Sequence, residues 1–574
     1  MASALQLQSP PSRSVLDLIG IAENVTTTAD PAGLMRALLR ASLMTLKNPA
    51  GIVAANARWA WGSVGALRAT AERSVGRERG GPIAISSGDK RFADPSFSDN
   101  PAYFLLAQEY LLFSQLVSEL LDIADLNAGQ ESKAQFAAKF LVDALSPTNT
   151  LPGNPAAIKK AFETGGKSVV AGLRNMTHDV RHNGGWPSQV DASGFEVGVN
   201  MGATKGSVIY RSDLIELIQY TPQTATVHAV PLLFCPPWIN KFYIMDLAPG
   251  KSLIEWAIQH GHTCFAISYR NPDESMRDVG FRDYLFKGPL DAVRVVREVT
   301  GAHEVNTVSV CLGGTLTAIG LAYNATRGDD SIKSATFLNT HTDFTQPGIL
   351  GTFTDESTVA GLEKEMSKKG YLESSTMART FSALRPNDLI FGYLVNNWLL
   401  GNKPPAFDLL AWNEDATRMP ARMHGEYLQS CYLRNEFARG VFEVEGQRLD
   451  PGRVEADAFV LSAVNDHVVP WTSGYKTTQL LGGKNRFVLS TSGHIAGIVS
   501  PPSPKAKHWV NDSLPADPHE WKADAQQVDG TWWNDWTTWI ADRGGEMVPP
   551  PERLGSDAYP PIEPAPGSFV RGTA

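Results

Sequence analysis

Three side chains able to carry nucleophilic catalysis fall, in order, at the ends of three apolar segments. They are the thiol of Cys311 in TVSVCLGG, the carboxylate of Asp466 in AVNDHVVPW and the imidazole of His494 in VLSTSGHIAGIVSPP. An imidazole beside a thiol generates the thiolate nucleophile and returns the proton to a leaving group. SVCLGG has the form of a nucleophile elbow, where a strand stops and turns sharply into a helix, exposing one strained side chain. In the usual GxSxG pattern, small residues flank the nucleophile because the two backbones approach closely. Here Cys311 takes the nucleophile's place, Gly313 keeps the second glycine and Ser309 stands at the first. The helix that follows aims its positive end at the sulfur and favours the thiolate. His494 is expected to deprotonate Cys311, with Asp466 either orienting the imidazole or acting as a base itself. His467 is a rival histidine, but side chains of adjacent residues at a strand end point different ways, so His494 is the expected base. A tetrahedral intermediate needs oxyanion donors. The backbone N–H of Leu312 is one candidate, and that of Ile239 in CPPWINKFY is the other, since the two prolines before it cannot donate.

These residues require strands that end on one edge. VIYRSDLIELIQY, VHAVPLLFCPPW, CFAISYRN, TVSVCLGG, SATFLNT, DAFVLSAVND and RFVLSTSGH each read as a strand, mostly separated by helical patterns. That alternation predicts an α/β fold with a mainly parallel sheet covered on both faces. The order nucleophile, acid, histidine is that of the α/β-hydrolase fold. About 342–457 is too long for a crossover and is expected to be a cap or lid. Residues 1–200 read as a mostly helical N-terminal domain and 201–574 as the catalytic domain, ending in a Pro-rich tail over about 546–574. Within the first of these, Ala32 to Val75 is Ala/Leu-rich and basic, with Arg36, Arg40, Lys47, Arg58, Arg68 and Arg73 against Glu72. Such a stretch suits either packing or a surface. Ala102 to Leu126 is apolar enough to predict a buried helix.

The chain has 574 residues, is 43% hydrophobic and carries a net charge of −9. It offers no basic face for nucleic acid. Its four cysteines, Cys235, Cys264, Cys311 and Cys431, lie far apart without CxxC or His spacing, so neither a disulfide framework nor a metal site is expected. MASALQLQSPPSRSVLDLIG lacks the pattern of an export signal, and no apolar run reaches the roughly 18 residues of a membrane span. A cytoplasmic location is expected. ETGGKS mimics the end of a phosphate-binding loop, but Ala161 stands where its first glycine belongs, so no nucleotide site is expected.

RFADPSFSDNP and DALSPTNTLPGNP, followed by PPWINKFYIMDL, SYRNPDESM, CLGG, WNEDATRMP, YLRNEF, NDHVVPW and SGHIAGIVSPP, resemble the signatures of polyhydroxyalkanoate synthases. The likeness covers most of the chain from about Arg91 and matches the single-polypeptide subclasses. It implies polymerisation of (R)-3-hydroxyacyl-CoA, first of all 3-hydroxybutyryl-CoA, into a polyester with release of CoA. Cys311 would carry the acyl group as a thioester, His494 would activate it, and Asp466 would assist the attacking hydroxyl. No metal or redox cofactor is implied, because the CoA thioester is itself the substrate. The resemblance further implies a homodimer with a mobile cap, association with polyester granules, and granule-coat proteins as partners. Ser309 departs from the glycine usual in the family. A cysteine thioesterase or polyester depolymerase would use the same three residues, differing only in letting water reach the acyl-enzyme. A noncatalytic granule-coat protein would not need them.

Overall fold

The computed structural model describes residues 30–572; the N-terminal stretch read for an export signal lies outside them. The chain divides into two units, 1–191 with 376–405 and 192–375 with 406–574.

The first unit is helical, and its helix starts are written in the sequence. Asp30-Pro31 opens α1 (Pro31–Thr45), Asn48-Pro49 opens α2 (Pro49–Ser74) and Asn100-Pro101 opens α3 (Pro101–Asp122). In each, the Asp or Asn oxygen accepts a first-turn backbone N–H, and the proline sits where no N–H is needed. Asn127 caps α4 (Ala128–Ala144) in the same way, without a proline. α3 packs along α2, with Leu112 against Gly62 and the Ser63 hydroxyl donating to Glu109 at 2.8 Å. The burial expected of α3 is only partial, since Leu106 and Phe113 remain more than a third exposed. Its neighbours cover Phe104, Ala107 and Tyr110 but not the whole circumference. α2 buries Ala55, Ala66 and Ala69 on one face and exposes Val53, Trp61, Val64 and Leu67 on the other. Residues 376–405 complete this unit beside α5 (Lys167–His182). The Asn175 amide donates to the carbonyls of Asn397 and Asn402 at 2.9 Å each, and the Trp398 indole donates to Asp179 at 2.7 Å.

The second unit is built on an eleven-stranded sheet. Its strands are β1 (Gly206–Arg211), β2 (Ile215–Tyr220), β3 (Leu232–Cys235), β4 (Cys264–Tyr269), β5 (Val305–Val310), β6 (Ile332–Leu338), β7 (Asp457–Ala463), β8 (Asn485–Ser490), β9 (Lys507–Val510), β10 (Gln526–Asp529) and β11 (Glu563–Pro564). Their spatial order is β10-β9-β8-β7-β6-β5-β3-β4-β2-β1-β11. The six strands from β8 to β4 are parallel, and the flanking ones are antiparallel. The parallel strands are buried along most of their length because helices cover both faces; all of β5 is buried. Buried polar groups within them are paired, as where the Ser334 hydroxyl donates to Asn306 at 2.6 Å. VIYRSDLIELIQY, expected as one strand, is a hairpin of β1 and β2, turned by the Ser212 hydroxyl accepting the N–H groups of Leu214 and Ile215. Among the described residues, no helix is long and apolar enough to cross a membrane.

Candidate active site

Cys311 joins β5 to α6 (Leu312–Arg327) with φ 50° and ψ −118°, a conformation that residues with a Cβ rarely adopt. Close packing enforces it. A Cβ on Gly313 would lie 2.3 Å from the Cys235 carbonyl oxygen, and one on Gly314 would lie 2.1 Å from Thr340 Oγ1. Ser309 fits without such conflict. Its hydroxyl lies 2.9 Å from Thr317 Oγ1, which donates in turn to the Gly313 carbonyl at 2.8 Å. The residue at the usual first glycine therefore braces the elbow from beneath.

Asp466 follows β7 and His494 follows β8, so both rise from the same edge of the sheet as Cys311. Asp466 Oδ2 receives His494 Nδ1 at 2.6 Å, while its Oδ1 accepts the backbone N–H groups of Val468 and Val469 at 2.8 Å each. That bond fixes the tautomer with the proton on Nδ1, and the ring lies near enough to Cys311 for the two to interact electrostatically. Burial disfavours the imidazolium, but the charges of Asp466 and Cys311 and the hydrogen bond to Asp466 outweigh it. The His494 pKa therefore stands well above that of a free histidine. The ring that pairs with Asp466 belongs to His494 rather than to its neighbour His467.

Leu312 supplies the first backbone N–H of α6, immediately after the nucleophile. The loop carrying Ile239 abuts the elbow, since Gly313 packs on the carbonyls of Cys235 and Pro236. WNEDATRMP clamps that loop from across the unit. The Thr417 hydroxyl donates to the Trp238 carbonyl at 3.0 Å, the Trp412 indole donates to the Lys241 carbonyl at 2.8 Å, and Asp415 pairs with the Lys241 ammonium at 2.7 Å. Among the described residues, no group of three or more His, Cys, Asp or Glu side chains is placed to hold a metal ion.

Residues 88–257 match the profile of the poly-beta-hydroxybutyrate polymerase (PhaC) N-terminus, and residues 230–501 match that of the alpha/beta hydrolase fold. The chain is 41% identical to the poly(3-hydroxyalkanoate) polymerase of Methylorubrum extorquens, over 94% of this chain and 90% of that one. It is 42% identical to poly(3-hydroxyalkanoate) polymerase 1 of Ectopseudomonas oleovorans, over 85% and 87% respectively. To the poly(3-hydroxyalkanoate) polymerase subunit PhaC of Cupriavidus necator it is 42% identical, over 85% and 83%. The chain belongs to the poly(3-hydroxyalkanoate) polymerase family.

Two features near the sulfur of this polymerase-family chain were not foreseen from its sequence. An aromatic cluster of Trp238, Phe344, Tyr427 and Tyr432 reaches Cys311 through its two tyrosines, with ring centroids 5.6 Å apart for Trp238 and Tyr427 and 4.9 Å for Phe344 and Tyr432. Tyr427 and Tyr432 interact electrostatically with Cys311, and their rings meet edge to face with centroids 5.6 Å apart. Burial pushes both phenols up, so both are neutral hydrogen-bonding groups at neutral pH. A π-helical turn over Leu428–Leu433 brings residues five apart onto one side, which is why YLRNEF contributes Tyr432 here. The second unforeseen feature is the end of β6. Asn339, Thr340 and His341 are all buried among the loops of the site, and the only signal in SATFLNTH was that another strand ends there.

Proposed function

We propose that this chain polymerises (R)-3-hydroxyacyl-CoA, with 3-hydroxybutyryl-CoA as the first substrate to test, through a Cys311 thioester. His494 Nε2 takes the Cys311 proton, and the thiolate attacks the acyl carbonyl. Leu312 and Ile239 N–H groups receive the oxyanion. The C–S bond to CoA breaks, and the CoA sulfur leaves with the proton from His494. In the second half, a 3-hydroxyl gives its proton to His494 as its oxygen attacks the Cys311 thioester. An ester bond forms, and Cys311 leaves as the thiol.

One observation carries this reading: His494 bonds to Asp466 at the sheet edge where the strained elbow of Cys311 also lies, in a chain of the polymerase family. Cysteine suits the task because thioester exchange keeps the acyl group activated, whereas a serine ester would spend that activation before the chain grows. Asp466 has its oxygens engaged by His494, Val468 and Val469, and its side chain has no solvent exposure. Those bonds support assistance to the attacking hydroxyl through His494 rather than by direct contact. The exposed apolar side chains of α2 beside Arg58 and Arg68 support a granule-facing role for that helix.

The test supplies purified protein with (R)-3-hydroxybutyryl-CoA, follows free CoA and identifies the acyl product. Polymer with stoichiometric CoA, absent in Cys311→Ala, is the expected result. Free 3-hydroxybutyrate would mean that water wins at the acyl-enzyme, and the hydrolase reading would replace this one.

A further inference from the structure

β6 lies between the nucleophile strand β5 and the acid strand β7, and contributes none of the three residues assigned to the chemistry. Its last residue and the three that follow nevertheless reach every loop that does. The Leu338 carbonyl accepts the Cys311 N–H at 2.9 Å, and the Thr340 hydroxyl is 3.2 Å from the Cys311 carbonyl. The Asn339 backbone N–H donates to Leu461 of β7, and its side-chain amide donates to the main-chain carbonyl of His494. The His341 carbonyl accepts the Thr315 hydroxyl of α6 at 2.7 Å, while its ring joins Val468 and Ser473.

Two of these residues occupy unfavourable states. Asn339 is fully buried with φ 47°, and its amide oxygen has no protein partner. Only the amide nitrogen is engaged, and it holds the residue that carries the base. Strain and an unpaired polar atom together at a junction of this kind are characteristic of a functional constraint. His341 is buried and its pKa is pushed down to about 4, chiefly by that burial. A carbonyl can only accept, so Nε2–H of the neutral ring donates to the Val468 oxygen at 3.2 Å, and Nδ1 lies 3.0 Å from the Ser473 hydroxyl, whose single hydrogen it shares with the Asp343 carbonyl at 2.9 Å. Val468 is also one of the two residues whose N–H groups hold Asp466 Oδ1. The imidazole of His341 thus grips the turn that grips the acid.

We propose that Asn339 and His341 are positioning residues for the triad, setting His494 and Asp466 in register with Cys311 from the strand between them. Neither touches substrate. This inference rests on the Cys311, His494 and Asp466 reading above. Its consequence is that loosening either tether leaves the elbow intact but misaligns the imidazole, so that the thiolate is less favoured and proton transfer is slower. KM for the acyl-CoA should change little, because the substrate's binding surface is untouched.

The experiment measures the rate of Cys311 alkylation by iodoacetamide against pH, with kcat and KM for (R)-3-hydroxybutyryl-CoA, in wild type, Asn339→Ala, His341→Leu and His341→Gln. Glutamine retains an amide that can donate to the Val468 carbonyl. Expected are a fall of about 10- to 10²-fold in kcat for Asn339→Ala and His341→Leu, an alkylation profile displaced to higher pH in both, and recovery of most of the loss in His341→Gln. A wild-type alkylation profile and kcat in Asn339→Ala and in His341→Leu, whatever their melting temperatures, would overturn the proposal. Should Asn339→Ala or His341→Leu fail to fold, Asn339→Ser and His341→Met carry the same readouts, and unchanged profiles in both of those would overturn it equally. Wild-type Cys311 reacting no faster than a free thiol would instead overturn the triad reading itself, and this inference with it.

Discussion

At the scale of single residues, the elbow tolerates chemistry at one position and refuses it at another. Ser309 has a hydroxyl partner in Thr317, whereas Gly313 has the carbonyls of Cys235 and Pro236 where its Cβ would be. Ser309→Gly should therefore lose about 1 kcal/mol of stability, the usual net contribution of one buried hydrogen bond, with kcat within about threefold of wild type. Gly313→Ala should lose at least about 10²-fold in activity, because a small displacement at the reacting group is enough to do so. A urea melt and CoA-release kinetics on both variants check this contrast; equal behaviour of the two would show that the elbow geometry is not what limits the rate. Cys311, Asp466 and His494 could be singled out because a nucleophile–acid–histidine arrangement constrains residue types and their order. Asn339 and His341 were not, since what they do depends on bonds to residues more than 120 positions away.

At the scale of elements, the strands of the parallel core could be read from runs of apolar residues, and four of the helix starts from an Asp or Asn at the cap. The hairpin of β1 and β2 could not, because its turn contains neither glycine nor proline and is closed by a serine side chain instead. The resemblance marked WNEDATRMP as characteristic without indicating a task. The structure gives it one: it holds the loop of Ile239 from some 170 residues away in sequence. Thr417→Val keeps the shape of the side chain but removes the donor to the Trp238 carbonyl. If Ile239 supplies an oxyanion donor, loosening its loop should lower kcat by about tenfold, part of the 10²- to 10³-fold expected for losing such a donor outright, with KM unchanged. Steady-state kinetics on the valine variant decide it, and an unchanged kcat would move the second donor elsewhere. TWWNDWTTWI likewise forms a helix, α7 (Trp532–Ala541), whose first two indoles donate to the carbonyls of Gly497 and Ile498 at 2.9 and 3.0 Å. Those carbonyls belong to the loop that carries His494.

At the scale of the whole molecule, acid sensitivity follows from histidines buried in the neutral form. His262 is held down to about 3 by burial, and by the neighbouring His228 that stacks on it at 4.4 Å; both of its ring nitrogens lack a protein partner. His341 and His424 are held near 4, chiefly by burial. An unfolded chain protonates these rings at about pH 6.5, whereas the folded one does not until far lower. Their contribution to stability is therefore complete above about pH 6.5 and is lost as pH falls toward 4, by up to about 1.4 kcal/mol per pH unit for each ring. His494 behaves oppositely: raised in the fold, it stabilises fully below pH 6.5 and loses that contribution only as pH rises through its folded value. Melting temperatures measured from pH 8 to pH 5 should fall, and His262→Phe should fall less than wild type over the same interval. Parallel curves would remove His262 from the account.

The interleaving of the two units has a consequence for the order in which the protein comes into being. A ribosome delivers the first 191 residues, then β1 to β6, and only afterwards 376–405, the stretch that completes the helical unit. Asn175 and Asp179 must wait more than two hundred residues for Asn397 and Trp398. The part of the chain born first thus cannot close first, and remains an unfinished nascent structure while half of the sheet is made. Transposing 376–405 to follow Asp191 directly, with Ser375 joined to Ala406, would reverse that schedule, allowing the helical unit to finish before the first strand leaves the ribosome.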